Sequence, residues 1–72
     1  MGGSTVQLGN RLKELRARHG FTQATLAEAV GVTRKTINTV ENQIFTPSTI
    51  LALKLAEALE VPVDEAFYLI KP

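Results

Sequence analysis

The chain of 72 residues contains no cysteine, no tryptophan and a single histidine. Without cysteine it can form no disulfide, no thiolate zinc site and no thiol nucleophile, and one histidine cannot build a histidine-rich metal site. Zinc fingers are therefore excluded, and we expect no metal and no cofactor. No apolar run approaches the roughly 20 residues that a membrane-spanning helix needs, so no membrane partner is expected.

The length of the chain suits one small domain, because the commonest domains have about 100 to 150 residues. Apolar residues make up 44% of the sequence, which favours a packed core over a disordered tail. A domain of this size buries only about 60% of its unfolded surface, so a partner subunit is one route to stability. We predict a flexible leader over residues 1–7, in part vector-derived, and a single domain over residues 8–70. The leader lacks the features of a signal peptide, which predicts a cytoplasmic protein.

Basic side chains are concentrated in the first part of the chain. Residues 1–42 contain six Lys or Arg and three Asp or Glu, a net charge of +3. Residues 43–72 contain two and four, a net charge of −2. A polyanion would therefore approach the first part, while the second part would face away from it or toward another protein.

Apolar spacing predicts five helices and almost no strand. Leu8, Leu12 and Leu15 recur at helical spacing and Gly20 offers a left-handed stop, so the first helix is expected over residues 8–19. Threonine, serine and proline at the predicted starts, and glycine or proline at the predicted ends, delimit the other four helices. These are expected between Thr22 and Gly31, over residues 34–42, between Ser48 and Pro62, and from Val63 to Ile70.

The second and third predicted helices are joined by only three residues, Gly31 to Thr33, which is the geometry of a helix-turn-helix. Arg34 and Lys35 follow in the first turn of the third helix, where the helix dipole disfavours each cation by about 0.3 to 1 kcal/mol. The same helix carries Asn38 and Thr39, short hydrogen-bonding side chains that suit base edges and phosphates. These features alone leave two interpretations open, a nucleic-acid surface and a solvated helix face with two cations.

Two segments resemble the Cro/C1-type helix-turn-helix domain, also described as lambda-repressor-like or xenobiotic-response-element-like. They read RLKELRARHGFTQATLAEAVGVTRKTINTVEN, from Arg11, and TPSTILALKLAEALEVPVDEAF, ending at Phe67. The resemblance implies an all-α, compact five-helix domain whose second and third helices form the helix-turn-helix. It also implies a sequence-specific transcriptional regulator that binds double-stranded DNA as a homodimer on a palindromic operator. Repression is expected of a bare domain, because blocking polymerase needs no further surface, and no small-molecule ligand is expected.

The resemblance further implies roles for individual residues. Arginine or lysine pairs best with guanine, so at least one guanine is expected in each half-site. An ion pair between Arg16 and Glu41 is expected to hold the third helix in place. Asn42 matches a phosphate contact, with helix capping as the alternative. Base edges are expected to be contacted by Gln23, Arg34, Lys35, Asn38 and Thr39, and phosphates by Thr22, Thr33, Thr36 and Asn42.

Three positions depart from the family pattern. Gln43 stands where glycine is very common, so the resemblance does not specify the loop path after the third helix. Thr25 stands where a glutamate commonly completes a capping box, which predicts that Thr22 caps the second helix alone. Pro62 replaces a usual serine cap, although its backbone angle still suits the start of a helix.

The end of the sequence is more apolar than a small monomer should expose, which indicates an interface. Phe67, Tyr68, Leu69 and Ile70 are therefore the predicted dimer surface, and the alternative is that Phe67 and Ile70 fold back onto the core. The sequence contains no phosphate-binding glycine loop and no nucleophile elbow, so no enzymatic activity is expected. An antitoxin or another protein-interaction module on the same fold is the alternative function.

Overall fold

The computed structural model describes residues 6–71. Residues 1–5, most of the predicted leader, lie outside these described residues. Over the described residues the fold is mainly α, with five helices, as the sequence predicted, and two short strands. None of the helices in the described part of the chain has the length and apolar character to cross a membrane. In chain order, the elements are β1 (Gln7–Asn10), α1 (Leu12–His19), α2 (Gln23–Val30), α3 (Arg34–Glu41), α4 (Thr49–Ala58), α5 (Val63–Ala66) and β2 (Phe67–Ile70).

The two strands bring the ends of the domain together in an antiparallel sheet. Gln7 lies opposite Ile70, and Asn10 lies opposite Phe67. The predicted helical boundaries at these two ends are therefore wrong, since α1 begins at Leu12 and α5 ends at Ala66. The end of the chain is rich in aromatic and branched side chains, which pack well on a pleated surface, so strand pairing replaces the helix there.

The helices and β2 enclose a continuous apolar core. Each fully buried leucine or isoleucine contributes about 1.5 to 3 kcal/mol relative to an exposed side chain. Ile37 anchors α3 in this core, while Leu12 and Leu15 anchor α1. The largest fully buried side chains are those of Leu12, Leu15, Leu26, Ile37, Leu55 and Leu59.

Threonine side chains cap the starts of α2 and α3. The Thr22 hydroxyl accepts a hydrogen bond from the Thr25 N–H at 3.0 Å, and the Thr33 hydroxyl accepts one from the Thr36 N–H at 3.2 Å. The Thr25 hydroxyl in turn accepts from the Thr22 N–H at 2.9 Å and completes a capping box. The prediction that Thr22 caps α2 alone is therefore wrong, because a threonine hydroxyl reaches the N–H that a glutamate would otherwise bind.

The connections on either side of α3 depend on left-handed backbone. Gly31 ends α2 with a φ of 77°, a conformation that glycine adopts without steric cost. Gln43 takes the same region after α3, with a φ of 63°, at a position where the resemblance expected glycine. The loop backbone therefore takes the conformation that glycine would adopt. It costs roughly 1 to 2 kcal/mol at Gln43, because the Cβ of a non-glycine residue is crowded by the backbone there. Further along, the Ser48 hydroxyl caps α4 by accepting from the Leu51 N–H at 3.1 Å.

Candidate functional site

The exposed face of α3 carries an unneutralised polar and cationic surface. Ile37 and Val40 are buried on the opposite face and fix the orientation of the helix. Arg34, Lys35 and Asn38 line a shallow concavity of about 320 Å³. Within residues 6–71, none of these three side chains forms a hydrogen bond or an ion pair with the rest of the protein. They are therefore free to bind an external acceptor or anion.

The threonines of this region contribute hydrogen bonds within the helices. The hydroxyls of Thr33 and Thr36 lie 3.0 Å apart, so one of them donates to the other and one hydroxyl proton stays free for another acceptor. The Thr39 hydroxyl donates to the backbone oxygen of Thr36 at 2.9 Å. Thr36 and Thr39 also border a concavity of about 310 Å³ next to Phe45. Thr22, predicted to contact phosphate, caps α2.

The end of α3 is held by an ion pair between Arg16 and Glu41. Arg16 Nε lies 2.6 Å from Glu41 Oε2 and Arg16 Nη2 lies 3.1 Å from Glu41 Oε1, so the contact is bidentate. The two side chains are only 13% and 7% exposed. This pair joins α1 to α3, which is the structural role that the resemblance implied for these two residues.

Gln23 adds a third donor to the same carboxylate. Its Nε2 lies 3.0 Å from Glu41 Oε1, so Glu41 ties α2 as well as α1 to the end of α3. Gln23 is half-buried, and its amide oxygen and second amide hydrogen remain available for an external partner. Asn42 likewise combines an internal contact with a free donor. Its Nδ2 donates to the backbone oxygen of Asn38 at 2.9 Å and so closes the last turn of α3, while its second amide hydrogen remains available for an external partner.

Asn10 joins the sheet to α3, and the sequence did not reveal this role. Its Nδ2 donates to the backbone oxygens of Val40 at 3.0 Å and Glu41 at 3.4 Å, while its Oδ1 accepts from the Leu12 N–H at 3.1 Å. One side chain therefore satisfies backbone groups at the end of α3 and at the start of α1. An asparagine before an apolar helix is a capping signal, but nothing local indicates the contact with α3.

A larger cavity, of about 790 Å³, lies between the end of α3, the start of α1 and the sheet. Asn38 and Asn42 border it from α3. Arg11, Lys13 and Tyr68 border it from the other side, and the sequence predicted no site role for the two cations. Their only signal in the sequence is the basic character of the first part of the chain, which does not distinguish them from the other cations.

The predicted dimer surface on β2 is only partly available. Phe67 is 7% exposed and belongs to the core, so its assignment to a partner surface is wrong, because β2 directs this side chain inward. Tyr68 and Leu69 are exposed, and Ile70 is half-buried. A further set of exposed apolar side chains lies in the loop after α3 and on α4. It consists of Ile44, Phe45, Ile50 and Leu53.

Comparisons with known proteins, by sequence and by structure, point to one family. The model of the helix-turn-helix family matches residues 12–65. The uncharacterized HTH-type transcriptional regulator YgzD of Bacillus subtilis is 45% identical over 60 residues, which cover 83% of this chain and 91% of that protein. The restriction-modification controller protein C.AhdI of Aeromonas hydrophila matches with a TM-score of 0.71 and 39% identity, over 75% of this chain and 82% of the other. The P22 c2 repressor protein in complex with a synthetic operator matches with a TM-score of 0.72 and 30% identity, over the same shares of the two chains.

Proposed function

Because this chain belongs to the Cro/C1-type helix-turn-helix family of DNA-binding transcriptional regulators, we propose that it is a repressor that binds a palindromic operator as a homodimer. α3 enters the major groove of each half-site, as the second helix of this motif does. One observation carries the proposal: Arg34, Lys35 and Asn38 are solvent-exposed and their side chains have no partner within residues 6–71, on a helix whose other face is buried. The proposal places the protein in the cytoplasm, where it meets its operator.

The chemistry of these three side chains predicts what they recognise. Arginine and lysine bind the O6 and N7 acceptors of guanine, and asparagine binds the N6 and N7 groups of adenine. Each well-placed bidentate contact discriminates against the wrong base by about 1 to 3 kcal/mol. We therefore propose that Arg34, Lys35 and Asn38 contact base edges and that each half-site contains at least one guanine.

The remaining predicted contacts flank the three base-reading side chains. Thr39 lies on the same helix and Gln23 lies at the start of α2, and we propose that both reach base edges through the hydrogen-bonding atoms that their internal contacts leave free. We propose that Thr22, Thr33, Thr36 and Asn42 contact phosphates. Phosphate contacts of this kind set the register of a protein on the duplex without reading sequence.

We propose that the dimer forms through exposed apolar side chains of the loop after α3 and of α4. Ile50 and Leu53 lie one turn apart on the same outward face of α4, and Ile44 and Phe45 are exposed in the loop that follows α3. Removing large apolar side chains from water is favourable, so these four residues provide a driving force for association. A two-fold contact beside the loop also sets the separation of the two α3 helices, which must be about 34 Å for half-sites one turn apart.

The experiment that tests the proposed function is selection of binders from a random duplex library by the purified protein, followed by sequencing of the enriched pool. A dimeric repressor is expected to enrich a palindrome whose half-sites are centred about 10 base pairs apart. Sedimentation of the complex is expected to show two protein chains per duplex. Binding without an enriched sequence would overturn the operator proposal, and enrichment of a single half-site would overturn the dimer.

A further inference from the structure

We propose that Arg11 and Lys13 form a phosphate-binding site for the DNA backbone beside α3, and that the ring of Tyr68 positions Arg11 in it. This inference rests on the proposed function, because the occupant is the backbone of the DNA that α3 binds. It extends the interface from the helix-turn-helix to the start of α1 and to the sheet.

The location of the site follows from the 790 Å³ cavity. Asn38 and Asn42 line it from α3, and Arg11 and Lys13 line it from the start of α1. A helix in the major groove has a sugar-phosphate strand along each border of the groove, and side chains next to the helix contact those strands. Asn38 borders both this cavity and the concavity of Arg34 and Lys35, so the cavity is continuous with the proposed base-reading surface, and we infer that one of these strands passes over it.

The charges around the cavity favour an anion. Arg16 and Glu41 on its wall neutralise each other, and Glu14 at its rim pairs with Arg18 at 3.2 Å. Arg11 and Lys13 are exposed, and neither has a carboxylate partner in the part of the chain that the structure describes. The two cations therefore remain uncompensated, as a phosphate-binding surface requires.

Arg11 is also held in position by the sheet. Its guanidinium carbon lies 5.6 Å from the centre of the Tyr68 ring, within the range of a cation–π contact. Its backbone N–H donates to the Ala66 oxygen at 2.9 Å. Opposite Tyr68 on β1 is Gly9, where a Cβ atom would overlap ring atoms of Tyr68. A guanidinium placed in this way loses less conformational freedom when it binds a phosphate.

The dependence of DNA binding on salt concentration tests the inference. The probe is a fluorescent random-sequence duplex pool of about 20 base pairs, titrated with the full chain between about 50 and 200 mM salt. The slope of the logarithm of the binding constant against the logarithm of the salt concentration becomes less negative by about 0.9 for each phosphate contact that is lost. For a dimer of Arg11→Gln or Lys13→Gln subunits, this slope should therefore be less negative than that of the wild type by about 1.8. We expect binding at least about a hundredfold weaker for each variant at the low-salt end of the range, because one charge-assisted contact is removed from each of the two subunits.

Lys54→Gln is the matched control. Lys54 on α4 is exposed, has no carboxylate partner within residues 6–71 and does not line the cavity, so the variant loses one charge away from the site. Its slope should therefore stay that of the wild type. Equal slopes for all three variants and the wild type would overturn the inference while DNA binding stands. A wild-type protein that binds no duplex at any salt concentration would overturn the proposed function itself.

The positioning role of Tyr68 has its own readout. Tyr68→Phe keeps the ring and should bind DNA with the wild-type slope, whereas Tyr68→Leu should weaken binding in the wild type but not in the Arg11→Gln background. Non-additivity of this kind identifies two residues that act through one contact. If Tyr68→Leu weakens binding equally in both backgrounds, Tyr68 does not act through Arg11 and this part of the inference is overturned.

Discussion

The side-chain amide of Asn10 donates a hydrogen bond to the backbone oxygen of Val40, 30 residues further along the chain, at 3.0 Å. This contact fixes the end of α3 to the sheet, next to the point where Arg16 holds Glu41. The start of α3 is fixed separately by the Thr33 cap. The helix that we propose to read DNA is therefore held at both ends by residues that do not read bases.

Replacement of Asn10 tests the first of these attachments. Asn10→Ala leaves the Leu12 N–H without its side-chain acceptor and removes one of the donors to the backbone oxygens at the end of α3. We expect the free energy of unfolding to fall by about 1 to 3 kcal/mol, measured by chemical denaturation. Asn38→Ala, at an exposed amide without an internal side-chain contact in residues 6–71, should change stability by less than about 0.5 kcal/mol. Equal midpoints for Asn10→Ala and the wild type would contradict the role of this contact.

The Arg16–Glu41 pair gives a second prediction. Glu41→Ala leaves Arg16 unpartnered at a site where its side chain is 13% exposed, and it also removes the acceptor of Gln23. Loss of one partner of a buried pair costs about 3 to 5 kcal/mol, so the variant should be strongly destabilised in thermal and chemical denaturation.

The exposed pair of Glu14 and Arg18 is the control for that experiment. These two side chains are 64% and 56% exposed and lie one helical turn apart on α1. Glu14→Ala should therefore cost no more than about 0.3 to 0.5 kcal/mol. Similar losses for Glu14→Ala and Glu41→Ala would show that the Arg16–Glu41 pair contributes no more than a surface contact.

Gly9 and Tyr68 provide a third prediction. A Cβ at position 9 would overlap the Tyr68 ring, which ends a 43% exposed side chain and can turn aside, so Gly9→Ala should cost about 0.5 to 1.5 kcal/mol by forcing that ring off its rotamer. In a Tyr68→Ala background the obstructing ring is absent, and the same substitution should cost much less. A double-mutant cycle measured by denaturation checks this, and a coupling energy near zero would show that the two residues do not pack against each other.

The dimer surface is tested by paired charge substitutions. Ile50→Asp combined with Leu53→Asp places carboxylates on an exposed face of α4, where the monomer has little core packing to lose. We expect this variant to sediment as a monomer while Leu69→Asp, on β2, stays dimeric. If only Leu69→Asp dissociates the dimer, the strand surface predicted from the sequence is the correct one and the α4 surface is wrong.

The helix-turn-helix could be predicted because its signals are local. Threonine caps at Thr22 and Thr33, the glycine stop at Gly31 and helical apolar spacing all fall within a few residues of the features they specify. The sheet could not be predicted in this way, since each strand has only four residues and the strand it pairs with lies about 60 residues away at the other end of the sequence. A short apolar run such as Phe67–Ile70 fits a helix or a strand equally well by periodicity.

The candidate site, like the fold, could be predicted where its signals are local and not where it depends on how the helices and the sheet pack. The exposure of Arg34, Lys35 and Asn38 follows from the helical period once Ile37 and Val40 are placed in the core. The bond between Gln23 and Glu41 depends on how α2 and α3 pack, and no sequence pattern encodes it. In the same way, the cavity beside α3 exists only because the sheet brings Tyr68 next to the start of α1.

The most direct test of the central claim is to repeat the selection from a random duplex library with Arg34→Ala beside the wild type. If Arg34 reads a base from α3, the variant should enrich the same palindrome with one position in each half-site no longer specified, and that position should be a guanine in the wild-type motif. An unchanged motif for Arg34→Ala would contradict base reading by this side chain. A wild-type protein that enriches no sequence would contradict the account as a whole.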